Sequence, residues 1–141
     1  MNSGVHRVFL DANVLFSAAY SEESRLRELW RLAETELLTS EFALEEAHRN
    51  LLAYRPDGIS HLEELAAQLE VVAETSKATQ LPPDLDLPDK DRPILAAAVA
   101  ATCTHLLTGD TRHFRSLYGR RVGGVLVLTP AQYLRRRNGR R

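Results

Sequence analysis

The sequence predicts a three-layer α/β domain, with a central, mostly parallel sheet of four to five short strands flanked by helices. Two observations carry that prediction. Short apolar runs alternate with stretches of helical periodicity, and strands joined by helical crossovers lie parallel, with both sheet faces covered. No repeat or low-complexity linker interrupts the alternation, and 141 residues with 44% hydrophobic content bury one core without disulfides or a structural metal. Residues 1–134 are therefore expected to form a single domain, followed by a basic tail over 135–141.

The elements run in order along the chain. Val8, Phe9 and Leu10 of "RVFLDANVLF" read as a buried strand ending on Asp11, and "ANVLFSAAY" opens a helix at Ala12. "SRLRELWRLAE" spaces Leu26, Leu29, Trp30 and Ala33 at three and four residues, which predicts an amphipathic helix. "ELLT" is a short strand. Ser40 is a good cap for "SEFALEEAHRNLLAY", which places Phe42, Leu44, Ala47, Leu51 and Leu52 roughly on one side before Pro56, Asp57 and Gly58 break it. A helix from about Ser60 passes into a short strand near Val71 and Val72. "TSKATQLPPDLDLPDKD" reads as an irregular surface loop, and "RPILAAAVAATC" as a helix with Pro93 in its first turn, a span that takes in Cys103. "THLLT" is a strand, "GDTRHF" a turn into a short helical segment, "GVLVLT" the last strand, and "PAQYLRRR" a closing helix.

Composition narrows the function classes. No apolar run approaches the roughly 20 residues that span a bilayer, and the amino end lacks a basic-then-apolar signal pattern, so a cytoplasmic protein with no membrane partner is expected. The lone Cys103 fits a reducing compartment and reads as a small buried side chain. Charge is divided along the chain. All 19 acidic residues lie at or before Asp110, whereas nine of the 18 Lys and Arg residues, all arginines, come after it. Guanidinium forks match phosphate oxygens, and they also match the carboxylates of an acidic protein.

The carboxylates carry the chemistry. Asp11 ends the first strand and Asp110 ends "HLLTG", so in a parallel sheet both lie at the same carboxyl edge, where ligands of such sheets bind. Asp91 sits within three residues of the start of the "PILAAAVAA" helix, and Glu46 lies about two turns into a helix that leaves the same edge, with Glu45 competing for its role. Singly, Asp11 and Asp91 are explained as helix caps, Asp110 as a turn residue and Glu46 as an exposed helical glutamate. Together, four carboxylates from distant segments would repel one another unless a divalent cation neutralised them. Such oxygen-rich sites suit Mg²⁺, with Mn²⁺ as the alternative. No serine sits in a nucleophile elbow, and no glycine-rich phosphate loop comes after a strand.

The order and surroundings of these residues resemble the PIN-domain nucleases, the VapC-like toxins in particular. "VFLDANVLFSA" is similar to that family's first strand and aspartate. "TSEFALEEAHRNL" is similar to the segment in which a serine precedes the metal-binding glutamate by six residues, which selects Glu46. "DKDRPILAAAVAA" selects Asp91, with Asp89 as runner-up, and "HLLTGDTRHF" makes Asp110 the fourth carboxylate. Many relatives carry a further aspartate where this chain has His113.

The resemblance implies a metal-dependent endoribonuclease whose catalytic and metal-binding residues are Asp11, Glu46, Asp91 and Asp110. Asn13 and Thr111 would orient carboxylates or waters, Arg112 and Arg115 would neutralise the RNA backbone, and His113 would donate a proton or contact a phosphate. It further implies a toxin with a cognate antitoxin, and a homodimer. The rival reading is an RNA-binding or RNA-processing module of the same fold without a toxin role.

Overall fold

A computed structural model of the protein describes residues 4–73 and 81–138. Its six-stranded sheet has the order β3-β2-β1-β4-β6-β5. The parallel strands are β1 (His6–Leu10), β2 (Thr35–Ser40), β3 (Glu70–Val72), β4 (His105–Leu107) and β6 (Val125–Leu128). The sixth, β5 (Arg121–Val122), pairs antiparallel with β6 and exceeds the four to five strands expected. It arises because Gly123 and Gly124, with φ of 56° and 86°, form a tight hairpin turn that side-chain-bearing residues adopt only with strain.

β1 lies inside the sheet, and its Val8, Phe9 and Leu10 are fully buried. The chain runs outward from β1 to β3 and then returns past β1 to β4. Right-handed crossovers in opposite directions place their helices on opposite faces. On one face α1 (Ala12–Tyr20), α2 (Glu41–Tyr54) and α3 (Ile59–Ala66) pack on one another. On the other, α4 (Arg92–Ala100) touches both β2 and β4, which flank β1. The last helix, α5 (Pro130–Asn138), returns toward the strand starts, so Arg135 to Asn138 are its final turn. No described helix is long and apolar enough to cross a membrane.

Three expectations are corrected by packing. Residues Arg25–Arg31 form a 3-10 helix, not an α-helix. Leu26, Leu29 and Leu32 repeat every three residues and turn inward, while Ala33 is exposed. Tertiary bonds hold the tighter turn: Arg27 Nε donates to the Ala18 carbonyl at 2.8 Å and Trp30 Nε1 to that of Leu65 at 3.1 Å. In α2, capped by the Ser40 hydroxyl at Ala43 N, the buried stripe is Ala43, Ala47 and Leu51, whereas Phe42 and Leu52 are exposed. The stripe keeps to the four-residue helical repeat, and its two alanines allow close approach to α1. Cys103 lies just beyond α4, because Thr102 takes a positive φ and Cys103 N closes the helix on the Ala98 carbonyl. Its thiol is buried and pushed up to about 12, chiefly by that burial. The expected loop lies partly outside the described residues; from Leu81 the chain is irregular until a 3-10 turn at Asp89–Asp91.

Candidate metal centre

Each acidic residue reaches the carboxyl edge by a different route. Asp11 comes directly after β1 and is held there because its backbone N–H donates to the Leu107 carbonyl of β4. It caps α1, as one expectation had it: its Oδ1 accepts from Ala12 N at 2.7 Å. Its Oδ2 accepts from the Thr108 hydroxyl at 2.8 Å and from Asn13 Nδ2 at 3.3 Å. Only 7% of Asp11 is exposed, and its carboxyl is pushed up to about 6. Burial is the main cause, the Thr108 and Ala12 bonds oppose it, and the charges of Glu46 and Asp91 add to it. Capping and burial beside other carboxylates thus coexist in one side chain.

Asp91 has lost its simple explanation. It stands at the N-cap position of α4, yet its side chain makes no cap hydrogen bond. Its Oδ2 is buried without a hydrogen-bond partner and lies 3.3 Å from His113 Nδ1. Burial raises its pKa, the His113 imidazole opposes the rise, and Asp110 adds to it. Asp110 does serve a turn, because its Oδ1 accepts from the backbone N–H of Arg112 and of His113. Its Oδ2 accepts from His113 Nδ1 at 2.8 Å. Burial opposes ionisation of Asp110, but the His113 and Arg112 bonds outweigh it and hold the carboxyl below its usual range.

Asp11, Glu46, Asp91 and Asp110 line one cleft of about 330 Å³, together with Asn13, Lys90 and Arg49. Within it, one oxygen from each of Asp91 and Asp110 and one nitrogen of His113 lie within 4.8 Å of one another. Glu45 points elsewhere, into an apolar groove between α2 and α3, and Asp89 is fully exposed beside Arg92. Hard oxygen donors, an orphaned buried carboxylate oxygen and one imidazole form a donor set that fits a divalent cation.

The supporting groups differ in part from expectation. Asn13 is bonded at the cleft: its Oδ1 accepts from Gly109 N at 2.7 Å, and its Nδ2 reaches both Asp11 and Thr108. Thr111, expected to orient a carboxylate, is exposed and outside the cleft lining. Thr108 does that work instead, donating to Asp11 and accepting from Asp110 N at 3.1 Å. The signal for it was a hydroxyl closing the apolar run "HLLT". Tyr118, whose hydroxyl donates to the carbonyls of Thr108 and Asp110, carried no comparable signal. The side chains of Arg112 and Arg115 are exposed and outside the cleft lining; Arg112 serves the site through its backbone.

This order of strand, aspartate, helical glutamate and second strand can be set against known proteins. The family model described as PIN domain matches residues 7–112. The chain belongs to the PIN-domain family. No curated protein matches it. Its fold is similar to a chain of VapBC2 from Rickettsia felis, solved with a promoter DNA fragment, at 16% identity and a TM-score of 0.67, covering 87% of this chain and 98% of that one. A toxin–antitoxin complex from Klebsiella pneumoniae aligns at 16% identity and TM-score 0.64, over 87% and 97% of the two chains. VapC20 of Mycobacterium tuberculosis, a Sarcin-Ricin loop cleaving toxin, aligns at 12% identity and TM-score 0.59, over 77% and 94%. At these identities the likeness is one of fold. In this PIN domain, the Nδ1 of His113 lies 3.3 Å from Asp91 Oδ2 and 2.8 Å from Asp110 Oδ2.

Proposed function

We propose that this PIN domain is a divalent-metal-dependent endoribonuclease and the toxin of a toxin–antitoxin pair. The observation that carries the nuclease reading is the orphaned Asp91 Oδ2, buried in a cleft that Asp11, Glu46 and Asp110 also line. An acceptor of that kind is costly unless a cation or donor fills its coordination. Asp91 and Asp110 would hold Mg²⁺ or Mn²⁺ directly, with Asp11 and Glu46 closing the cleft around its waters. The chemistry supplied by such an ion is activation of a water and screening of charge on a phosphodiester. Asn13 and Thr108 fix the Asp11 carboxylate, and Lys90 and Arg49 line the cleft where they can neutralise a phosphate. No side-chain nucleophile is required.

Family membership supports a nuclease. A toxin–antitoxin complex of similar fold supports a protein partner for this chain, and the Sarcin-Ricin loop cleavage by VapC20 makes RNA the substrate to test first. A homodimer in the cytoplasm completes the reading. The test is incubation with structured and unstructured RNA in Mg²⁺ and in Mn²⁺, alongside Asp11→Asn. Cleavage by the wild type alone is expected. Equal cleavage by both proteins would remove Asp11 from the site, and binding without cleavage would favour an RNA-binding module. Purification with the product of the neighbouring gene tests the antitoxin.

A further inference from the structure

At the opposite edge of the sheet the protein presents the reverse electrostatics. An open groove of about 1600 Å³ runs past the starts of β1 and β4, with Arg121 of β5 and Arg135 and Arg136 of α5 on its walls. Its floor includes His6, His105 and Tyr133. The groove is built around Arg137, which is committed to holding α5 in place. That guanidinium donates to the Tyr133 hydroxyl at 2.6 Å, to the Thr35 hydroxyl at 2.9 Å and to the Ala33 carbonyl at 2.9 Å. Arg121, Arg135 and Arg136, by contrast, are exposed and have no carboxylate partner among the described residues. Among the described residues, Glu34 is the one acidic residue in the lining.

The histidines register the resulting field. His105 is pushed down to about 4 by burial first, and then by His6 and the charges of Arg121, Arg136 and Arg137. It is neutral near pH 7, so the positive charge of the groove comes from its guanidiniums. Size and composition indicate the class of occupant. Pockets for small ligands hold roughly 300–1,000 Å³, so this groove suits a polymer. A protein partner would need buried aromatic or aliphatic anchors. Among the described residues the large exposed apolar side chains are Val5, Tyr20, Phe42, Leu52, Tyr54 and Val71, and none of them lines the groove. Guanidinium forks that face the groove without a carboxylate partner match a chain of phosphates.

We propose that this groove binds the RNA backbone as a second surface, remote from the acidic cleft. It rests on RNA being the substrate. The five residues of β1 separate the two edges by about 16 Å at ~3.3 Å per residue. A short oligonucleotide in the cleft therefore does not reach the arginines, whereas a folded RNA or a longer strand does. The groove selects for long or structured RNA, and the cleft alone determines cleavage.

The test is binding of a labelled RNA hairpin of about 30 nucleotides to the full chain in EDTA, titrated between about 50 and 200 mM salt. Three phosphate contacts at about 0.7–0.9 each predict that the variant Arg121→Gln/Arg135→Gln/Arg136→Gln loses about 2–3 from the slope of log K against log salt, and about tenfold or more in affinity. The matching triple Arg→Lys variant should keep the slope, and Arg25→Gln/Arg31→Gln, on the 3-10 helix, should change neither quantity. An unchanged slope in the glutamine variant overturns the proposal, as does a wild type that binds no RNA. Displacement of the RNA by polyglutamate at equal charge concentration also overturns it, in favour of an acidic protein partner. Cleavage of a trinucleotide in Mn²⁺ reports on the cleft alone. Absence of cleavage of both the trinucleotide and the hairpin by the wild type in Mn²⁺ would therefore refute the nuclease reading and leave the groove to be judged by binding.

Discussion

Asp11 is held in its cleft at the expense of stability, and Asp11→Asn makes that measurable. In the metal-free protein the carboxyl titrates at about 6, against 3.8 for the unperturbed group. A carboxyl whose folded pKa is raised contributes stability below its unfolded value and loses it as pH rises through the folded one. The interval between 3.8 and about 6 corresponds to about 3 kcal/mol of destabilisation by pH 8. An amide at this position carries no charge, and its oxygen still accepts from Ala12 N as Asp11 Oδ1 does. Its nitrogen must face the Thr108 hydroxyl and Asn13 Nδ2, both now donors to Asp11 Oδ2, and that mismatch costs about 1 kcal/mol. The variant should therefore be more stable by roughly 2 kcal/mol at pH 8, or about 6–8 °C in Tm for a chain of this size. At pH 4 the advantage should vanish. Thermal unfolding monitored by circular dichroism in EDTA, at both pH values, reads this directly. An equal difference in Tm at pH 4 and pH 8 would refute the account, because it would show that ionisation of Asp11 carries no penalty. Adding Mn²⁺ at pH 8 should then raise the wild-type Tm more than that of the variant.

The same network yields two further outcomes. Thr108→Val removes the donor to Asp11 Oδ2 and the acceptor for Asp110 N, so it should lower the urea-unfolding free energy by about 2–3 kcal/mol, with Thr108→Ser restoring most of it. His113→Asp replaces the imidazole that contacts both Asp91 and Asp110 with a hard oxygen donor. Titration calorimetry of the full chain should show tighter Mg²⁺ binding and a smaller preference for Mn²⁺ over Mg²⁺; an unchanged ratio would show that His113 is not a ligand.

How much of this was legible in the sequence depended on which interaction decided each feature. The parallel sheet and the edge shared by Asp11 and Asp110 result from periodicity and crossover geometry, which are local signals. The 3-10 form of Arg25–Arg31 is not legible because spacings of three and four residues fit both helix types, and bonds from Arg27 and Trp30 to distant carbonyls tighten it. The acidic residues were visible because a carboxylate ending an apolar strand is conspicuous. Their supports were less so, since Thr108 at the end of "HLLT" is an ordinary strand residue until Asp11 and Asp110 are brought to either side of it. The arginine groove shows the same limit from the other side. The sequence displays an acid-free stretch after Asp110, but only the fold sorts its arginines into those committed to structure and those left free of carboxylates. Arg137 anchors α5 while its neighbours Arg135 and Arg136 remain exposed, a difference set by which side of the last helical turn faces Thr35 and Ala33. Charge segregation along a chain therefore identifies a polyanion surface only after the partners of each charge are known.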